Sequence, residues 1–330
     1  MRNVLVTGGT GFIGSNLAVA LLRMGCHVRI LRRPQSDLRA IGTADVDHRI
    51  GDVTDPDSLK RAMVGCDTVF HTGAVVSYWR KDRERMYRVN IDGTRNVVEA
   101  CLQSGVRKFV HTSSVAAIGF PENGSCADET NTFNWEQYDV GYRISKNRAE
   151  KEVLRGVAAG LPAVIVNPSI VIGPGDIHFN GGQIIRDIYK KRLFFYIDGG
   201  LSVAFVDDVV RGHIAAALRG RIGERYILCG ENLQVREVFR TTASVVGGII
   251  PRIKLSKTVV HTAAAVVEAI GNLAHRKPWL TRELVARAGI SYYFSSTKAQ
   301  RELGYTITPF RTAVETTFAW YMKNDLLTPH

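Results

Sequence analysis

The sequence predicts an α/β protein: a doubly wound parallel sheet with helices on both faces, and a smaller, mainly helical C-terminal part. Two observations carry this. Short β-branched runs alternate with helix-periodic segments as far as Pro168, with no repeat or low-complexity stretch between them. The first of these runs, Val4-Leu5-Val6, passes straight into Thr7-Gly8-Gly9-Thr10-Gly11-Phe12-Ile13-Gly14, and an apolar-periodic segment follows through Leu22. That is strand, glycine turn, helix.

The elements follow in order. His27–Leu31 is the second strand and ends in Arg32-Arg33-Pro34; Val46–Ile50 is the third, closed by Gly51-Asp52-Val53. Asp55 is placed to cap a helix over 55–64, with Pro56 at its first position. Thr68–His71 is the fourth strand, entering Thr72-Gly73-Ala74; 82–104 reads as one helix, and Lys108–His111 as the fifth strand. Residues 120–137, rich in Asn, Glu, Gly and Thr, read as a loop or lid before a helix over Tyr142–Ala158, and 162–166 is a further strand. Beyond Pro168 turns accumulate at Gly173-Pro174-Gly175 and Gly181-Gly182. The predicted division is therefore 1–168, with 203–230 returning to it, against 169–202 and 231–330. The last hundred residues show little chemistry.

Composition narrows the class. Of 330 residues, 45% are hydrophobic and 22% charged, as in ordinary globular chains. A net charge of +12 favours anionic ligands, but no basic run with interleaved aromatics marks a nucleic-acid groove. Five scattered cysteines, without CxxC or Cys/His spacing, argue against zinc or a disulfide framework and fit a reducing, cytoplasmic compartment. A fold-bearing strand stands where a signal peptide would be. The segment 259–274 contains His261 and Glu268 and is too short to span a bilayer; it reads as an amphipathic helix, with a membrane-surface role as the lesser option.

The glycine turn suits a dinucleotide. Gly9, Gly11 and Gly14 satisfy the fingerprint, and Gly8, Gly11 and Gly14 are spaced three apart. Glycines permit close backbone approach to a pyrophosphate, and the following helix start offers free N–H groups to it. Where an acid would meet a free ribose 2′-hydroxyl, this chain has Arg32 and Arg33, which suit a 2′-phosphate. NADP is the expected cofactor, with NAD as the alternative.

A second constellation carries chemistry. Tyr142 and Lys146 are four apart and share a helix face, while Ser114 lies just past the fifth strand. Tyr-x-x-x-Lys also arises on ordinary exposed helices; joined to the glycine loop and Ser114 at one sheet rim it becomes specific. A hydride passing from a nicotinamide to a carbonyl leaves an alkoxide that needs a proton. Tyr142, of ordinary pKa ~10, would supply it if Lys146 and an oxidised nicotinamide lowered that value; a shift of ~3 units needs ~4 kcal/mol. Ser114 would hold the substrate oxygen.

These residues resemble the extended short-chain dehydrogenase/reductases over nearly the whole chain. The resemblance rests on the glycine loop, Gly51-Asp52-Val53, Val89-Asn90-Ile91-Asp92-Gly93-Thr94, Thr112-Ser113-Ser114, Tyr142/Lys146 and Phe205-Val206-Asp207-Asp208-Val209. It implies a Rossmann fold and a catalytic set of Ser114, Tyr142 and Lys146. The cofactor would meet Gly8, Gly11, Phe12, Ile13, Gly14, Arg32, Arg33, Asp52, Val53, Ala74, Lys146, Pro168 and Ile170. Asn90 would support the catalytic residues from behind, or serve only helix packing. The resemblance also implies a homodimer through the 82–104 and 142–158 helices.

Within that superfamily, Ile118-Gly119 and the run from Asn167 to Pro174 resemble the dihydroflavonol-reductase and 3β-hydroxysteroid-dehydrogenase branch, and bacterial proteins of that branch named as hopanoid-associated sugar epimerases. The expected reaction is reversible hydride transfer between NADPH and a small ketone or secondary alcohol. Val75–Trp79, the lid and the aromatic stretch Phe179 to Tyr196 would wall an apolar pocket, unless those aromatics are core. Lys190, Lys191 and Arg192 would suit a sugar-nucleotide diphosphate instead, as in an epimerase or dehydratase that retains its cofactor. A non-catalytic NADP-binding redox sensor is the remaining alternative.

Overall fold

The computed structural model describes residues 1–121, 125–286 and 288–327. Its first half runs β1 (Asn3–Thr7), α1 (Phe12–Arg23), β2 (His27–Arg32), β3 (Asp47–Ile50), α2 (Pro56–Met63), β4 (Thr68–His71), α3 (Arg83–Tyr87), α4 (Gly93–Gln103), β5 (Lys108–Thr112), α5 (Gly141–Ala158) and β6 (Ala163–Pro168). After it come β7 (Ile170–Ile172), α6 (Gln183–Tyr189), β8 (Phe195–Tyr196), β9 (Gly200–Phe205), α7 (Val206–Arg219), β10 (Arg225–Leu228), β11 (Glu231–Gln234), α8 (Val235–Val246), β12 (Ile253–Lys254), α9 (Lys257–Leu273), α10 (Thr297–Leu303) and α11 (Phe310–Lys323).

The predicted doubly wound α/β fold is the one adopted. Seven of the described strands form a parallel sheet in the order β3-β2-β1-β4-β5-β6-β10. Its inner strands are buried along nearly their whole length, which is why they read as continuous apolar runs. One apolar cluster lies on the α1/α7 face and a second under α2, α4 and α5. Chain order reverses between β1 and β4, and that reversal opens a crevice at the carboxyl ends of the strands.

Asp55 caps α2 as its sequence predicts, accepting from the backbone N–H groups of Asp57 and Ser58. The single helix expected over 82–104 is instead interrupted. A short 3₁₀ turn (Arg80–Asp82) leads into α3, and a π-helical turn, Arg88–Asp92, separates α3 from α4. Such wide turns often mark functional positions; here the turn carries Asn90. Past β6 the chain leaves the main sheet: β7 pairs in parallel with β9, and β11 joins β9 antiparallel. α7 then packs back on α1, and β10 closes the main sheet beside β6.

The C-terminal hundred residues are mainly helical, as expected. Among the described residues, no helix is long and apolar enough to cross a membrane, and no group of His, Cys, Asp and Glu side chains could hold a metal ion.

Candidate active site

Three loops meet at the crevice. The first is the glycine turn between β1 and α1. Gly8 has φ +71°, and a Cβ there would stand 2.6 Å from the Gly73 Cα in the loop after β4. A Cβ on Gly14 would strike the Gly8 carbonyl oxygen and lie 2.6 Å from Thr72 Oγ1. Gly11 is different: its added Cβ would meet only that carbonyl, at 3.2 Å, so packing alone does not demand glycine there. Gly11 also caps α1. Among the described residues α1 receives no side-chain capping bond and has no acid in its first turn. Its leading N–H groups and the helix dipole are therefore free for an anion. These residues fit a dinucleotide diphosphate.

Phe12 and Ile13 are half-buried against the core cluster, which leaves their backbone N–H groups, rather than their rings and methyls, as the ligand-facing feature. At the end of β2, Arg33 is exposed, whereas Arg32 is engaged: its Nε donates to His48 Nδ1 at 3.0 Å and its Nη1 to the Arg33 and Pro34 carbonyls. The Asp52 carboxylate accepts from the Thr54 backbone N–H and hydroxyl at 2.9 and 2.8 Å. Val53 is buried, its side chain filling the space a Cβ on Gly93 would need. Ala74 and Ile170 are exposed at the ends of β4 and at the start of β7.

The catalytic candidates converge. Tyr142 hydrogen-bonds Ser114, and the Ser114 hydroxyl also reaches the Pro168 carbonyl at 3.4 Å and accepts from Ala116 N at 3.1 Å. Lys146, one turn along α5, donates its Nζ to the Thr112 carbonyl at the end of β5 at 2.8 Å. Burial lowers the Lys146 ammonium to about 8, against the pull of Glu150. The Tyr142 phenol is pushed up, first by burial and then by Tyr78; the Ser114 hydrogen bond and Arg143 oppose this. So in the protein alone the phenol is held protonated. The lowering expected from Lys146 does not appear among the influences on it.

Asn90 is the support behind this set. Its side chain accepts from Val75 N at 2.8 Å and donates to Val75 O at 2.9 Å and to Ser145 Oγ at 3.0 Å. Ser145 in turn donates to the Tyr142 carbonyl at 2.7 Å. One amide thus ties the loop after β4 to the helix turn between Tyr142 and Lys146.

The expected pocket walls are divided. Tyr78 packs edge-on against Tyr142, ring centres 5.7 Å apart. In the lid, Trp135 is buried, donates to the Ile118 carbonyl and lies under the Arg143 guanidinium at 3.6 Å; residues 122–124 of that lid lie outside the described residues. Of the later aromatic stretch, Phe179 packs on Tyr321, and Tyr196 belongs to the core. Phe194 and Phe195 are half exposed.

Sequence reasoning missed the contribution of the C-terminal part, where little chemistry was expected. Glu283, buried, accepts from Arg83 Nη2 at 2.5 Å and from Gly141 N at 2.9 Å. It thereby satisfies an N–H at the start of α5, whose own N-cap, Val140, supplies no side-chain bond. Arg83 also donates to the Asp139 carboxylate and carbonyl, and a Cβ on Gly141 would stand 2.9 Å from its Nε. Nothing local in the sequence signals a contact across 142 residues.

With this geometry in view, comparisons with known proteins are informative. The model of the NAD dependent epimerase/dehydratase family matches residues 4–229. A protein of Synechocystis, provisionally named a dihydroflavonol 4-reductase, is 36% identical over 97% of this chain and 94% of its own. The 3-beta-hydroxysteroid dehydrogenase of Mycolicibacterium neoaurum is 31% identical over 92% of this chain and 87% of its own. The crystal structure of gox2253 superposes with a TM-score of 0.87 at 39% identity, covering 99% of this chain and all of that one.

Proposed function

Since the chain belongs to the NAD dependent epimerase/dehydratase family, we propose that it is a reductase and dehydrogenase acting between NADPH and a ketone or secondary alcohol. The observation that carries this reading is the hydrogen-bonded Ser114–Tyr142 pair, set at the same sheet rim as the uncapped glycine turn. The names of the Synechocystis and Mycolicibacterium relatives, a reductase and a hydroxysteroid dehydrogenase, support the same class of reaction.

In this reading the glycine loop and the first turn of α1 hold the diphosphate, Arg33 with Arg32 receives a 2′-phosphate, and Asp52, Val53, Ala74, Pro168 and Ile170 line the cofactor. When bound, the nicotinamide supplies or accepts the hydride. Ser114 fixes the substrate oxygen, and Tyr142 gives it a proton during reduction and takes one during oxidation. A phenol held protonated by burial suits the reducing direction. Lys146, charged below about pH 8, adds positive charge beside that oxygen. Residues 169–202 and 231–330 would form the substrate-binding part, and two copies would pair across α4 and α5.

The test begins with titration of NADP and NAD into cofactor-stripped protein. NADP is expected to bind more tightly, and Arg33→Ala to weaken it by about tenfold while sparing NAD. Turnover of NADPH with a panel of cyclic ketones should vanish in Tyr142→Phe, which keeps its NADP affinity. Full turnover by that variant would overturn the proposal. Cofactor retained through purification, with no net dinucleotide consumption, would replace it with an epimerase.

A further inference from the structure

α9 is joined to the rest of the protein by a narrow stripe. Of its 17 residues only Ala264, Glu268 and Gly271 are buried, on one arc of the helix. The opposite arc carries Val259, Val266, Ile270 and Leu273, exposed by 51%, 52%, 62% and 85%. Their spacings of seven, four and three align them in one row. A surface helix normally turns such a row inward; this one turns it out. Single exposed aliphatics are ordinary, whereas an aligned row marks a contact surface.

The charges around that row have one sign. Lys257 begins the helix, and exposed His275 and Arg276 follow it. Lys277, also exposed, is paired with Asp82 at 3.1 Å. The only carboxylate of α9, Glu268, is buried and bound to Arg282 through Nε at 3.1 Å and through the backbone N–H at 3.0 Å. The outward face of α9 therefore offers apolar side chains and no anion. Trp279, 79% exposed, follows Pro278, which packs beside Gly271 near the end of the helix. An indole at the edge of an apolar row is suited to a headgroup boundary.

We propose that this face of α9 seats on the surface of an anionic lipid bilayer, with the helix lying in the interfacial plane. Charge complementarity selects lipid over a second copy of the chain, because another copy would present the same cations. The last turn of the helix adjoins the candidate active site. Asn272 accepts from Trp79 Nε1 at 2.8 Å and, through its carbonyl, from Lys81 Nζ at 3.0 Å. The neighbouring Tyr78 is the ring packed on Tyr142. The docked helix thus sets the wall of the site at the membrane surface, where an apolar ketone or alcohol dissolved in lipid can reach it. That consequence rests on the reductase reading; the docking itself does not.

The test is flotation of the full chain with vesicles of phosphatidylcholine, with and without phosphatidylglycerol. Wild type should float with the anionic vesicles. The triple variant Val266→Ser, Ile270→Ser, Leu273→Ser should lose roughly tenfold or more in partitioning while keeping its melting temperature and NADP affinity. The pair Lys257→Gln and Arg276→Gln should lose several-fold, with a weaker response to salt. Failure of wild type to float, or equal flotation of the triple variant, overturns the proposal. So does a wild-type dimer that the triple variant splits, since the face would then be a self-association surface. No turnover is measured, so a negative result here leaves the reductase reading standing.

Discussion

Glu283 gives the sharpest test of how the site is held. Its side chain is 4% exposed and serves two donors on separate segments, the Arg83 guanidinium and the Gly141 N–H. Glu283→Ala strips both. Arg83 keeps Asp139, which is half exposed, but loses its buried partner, and the first N–H of α5 is left without an acceptor. Breaking a buried pair from one side costs about 3–5 kcal/mol, and an orphaned N–H about 1–3 kcal/mol. Asp139 and entering water offset part of this, so a net loss of about 3 kcal/mol is expected. Glu283→Gln keeps the shape and one acceptor oxygen, and should lose about 1–2 kcal/mol. Urea unfolding followed by tryptophan fluorescence measures both. An alanine variant within about 0.5 kcal/mol of wild type would refute the reasoning, because that is the scale of ordinary surface substitutions. The ranking matters as well. A glutamine variant as damaged as alanine would place the cost in packing rather than in the two hydrogen bonds.

Three further outcomes are expected. Gly14→Ala, driven into backbone oxygen and Thr72, should lose about 1–3 kcal/mol of stability, whereas Gly11→Ala should fold nearly as well as wild type yet bind NADP at least about tenfold more weakly in titration calorimetry. Acid should unfold the protein early. His71 and His213 are lowered by burial to about 3 and about 4, so both are neutral when folded and take up a proton on unfolding. Their contribution is present above about pH 6.5 and is lost as pH falls toward those values, on the order of 5 kcal/mol for His71 alone. Stability that stayed flat between pH 6.5 and 4 in denaturant titrations would contradict this. Asn90→Leu, which cannot bridge Val75 and Ser145, should lower kcat far more than NADP affinity in steady-state assays; equal loss of both would make Asn90 a general packing residue.

Features whose cause lies within a few residues were legible in the sequence. The glycine turn, the Asp55 cap and the Tyr142/Lys146 face depend on local spacing, and each stands where the pattern put it. The break at Arg88–Asp92 was not legible, because no glycine or proline interrupts the run before Gly93 and the wide turn accompanies a tertiary bond from Asn90 to Val75. Glu283 escaped for a similar reason: a lone acid in a loop has no pattern, and its role exists only once Arg83 and Gly141 are brought beside it. For α9 the periodicity disclosed an apolar face but not its direction. Helical spacing says which residues stand together, and only packing decides which side they turn.

The wide turn at Arg88–Asp92 also fixes how long the chain can be at this point. An α-helix advances 100° per residue, so deleting one residue here would restore a regular ladder only by rotating α4 against α3 through that angle. Val97, Val98 and Cys101 would swing out of the layer they fill beneath the sheet, and Asn90 would lose Val75. Insertions and deletions between residues 83 and 103 therefore cost the core and the site together, although neither Tyr142 nor the glycine loop is touched.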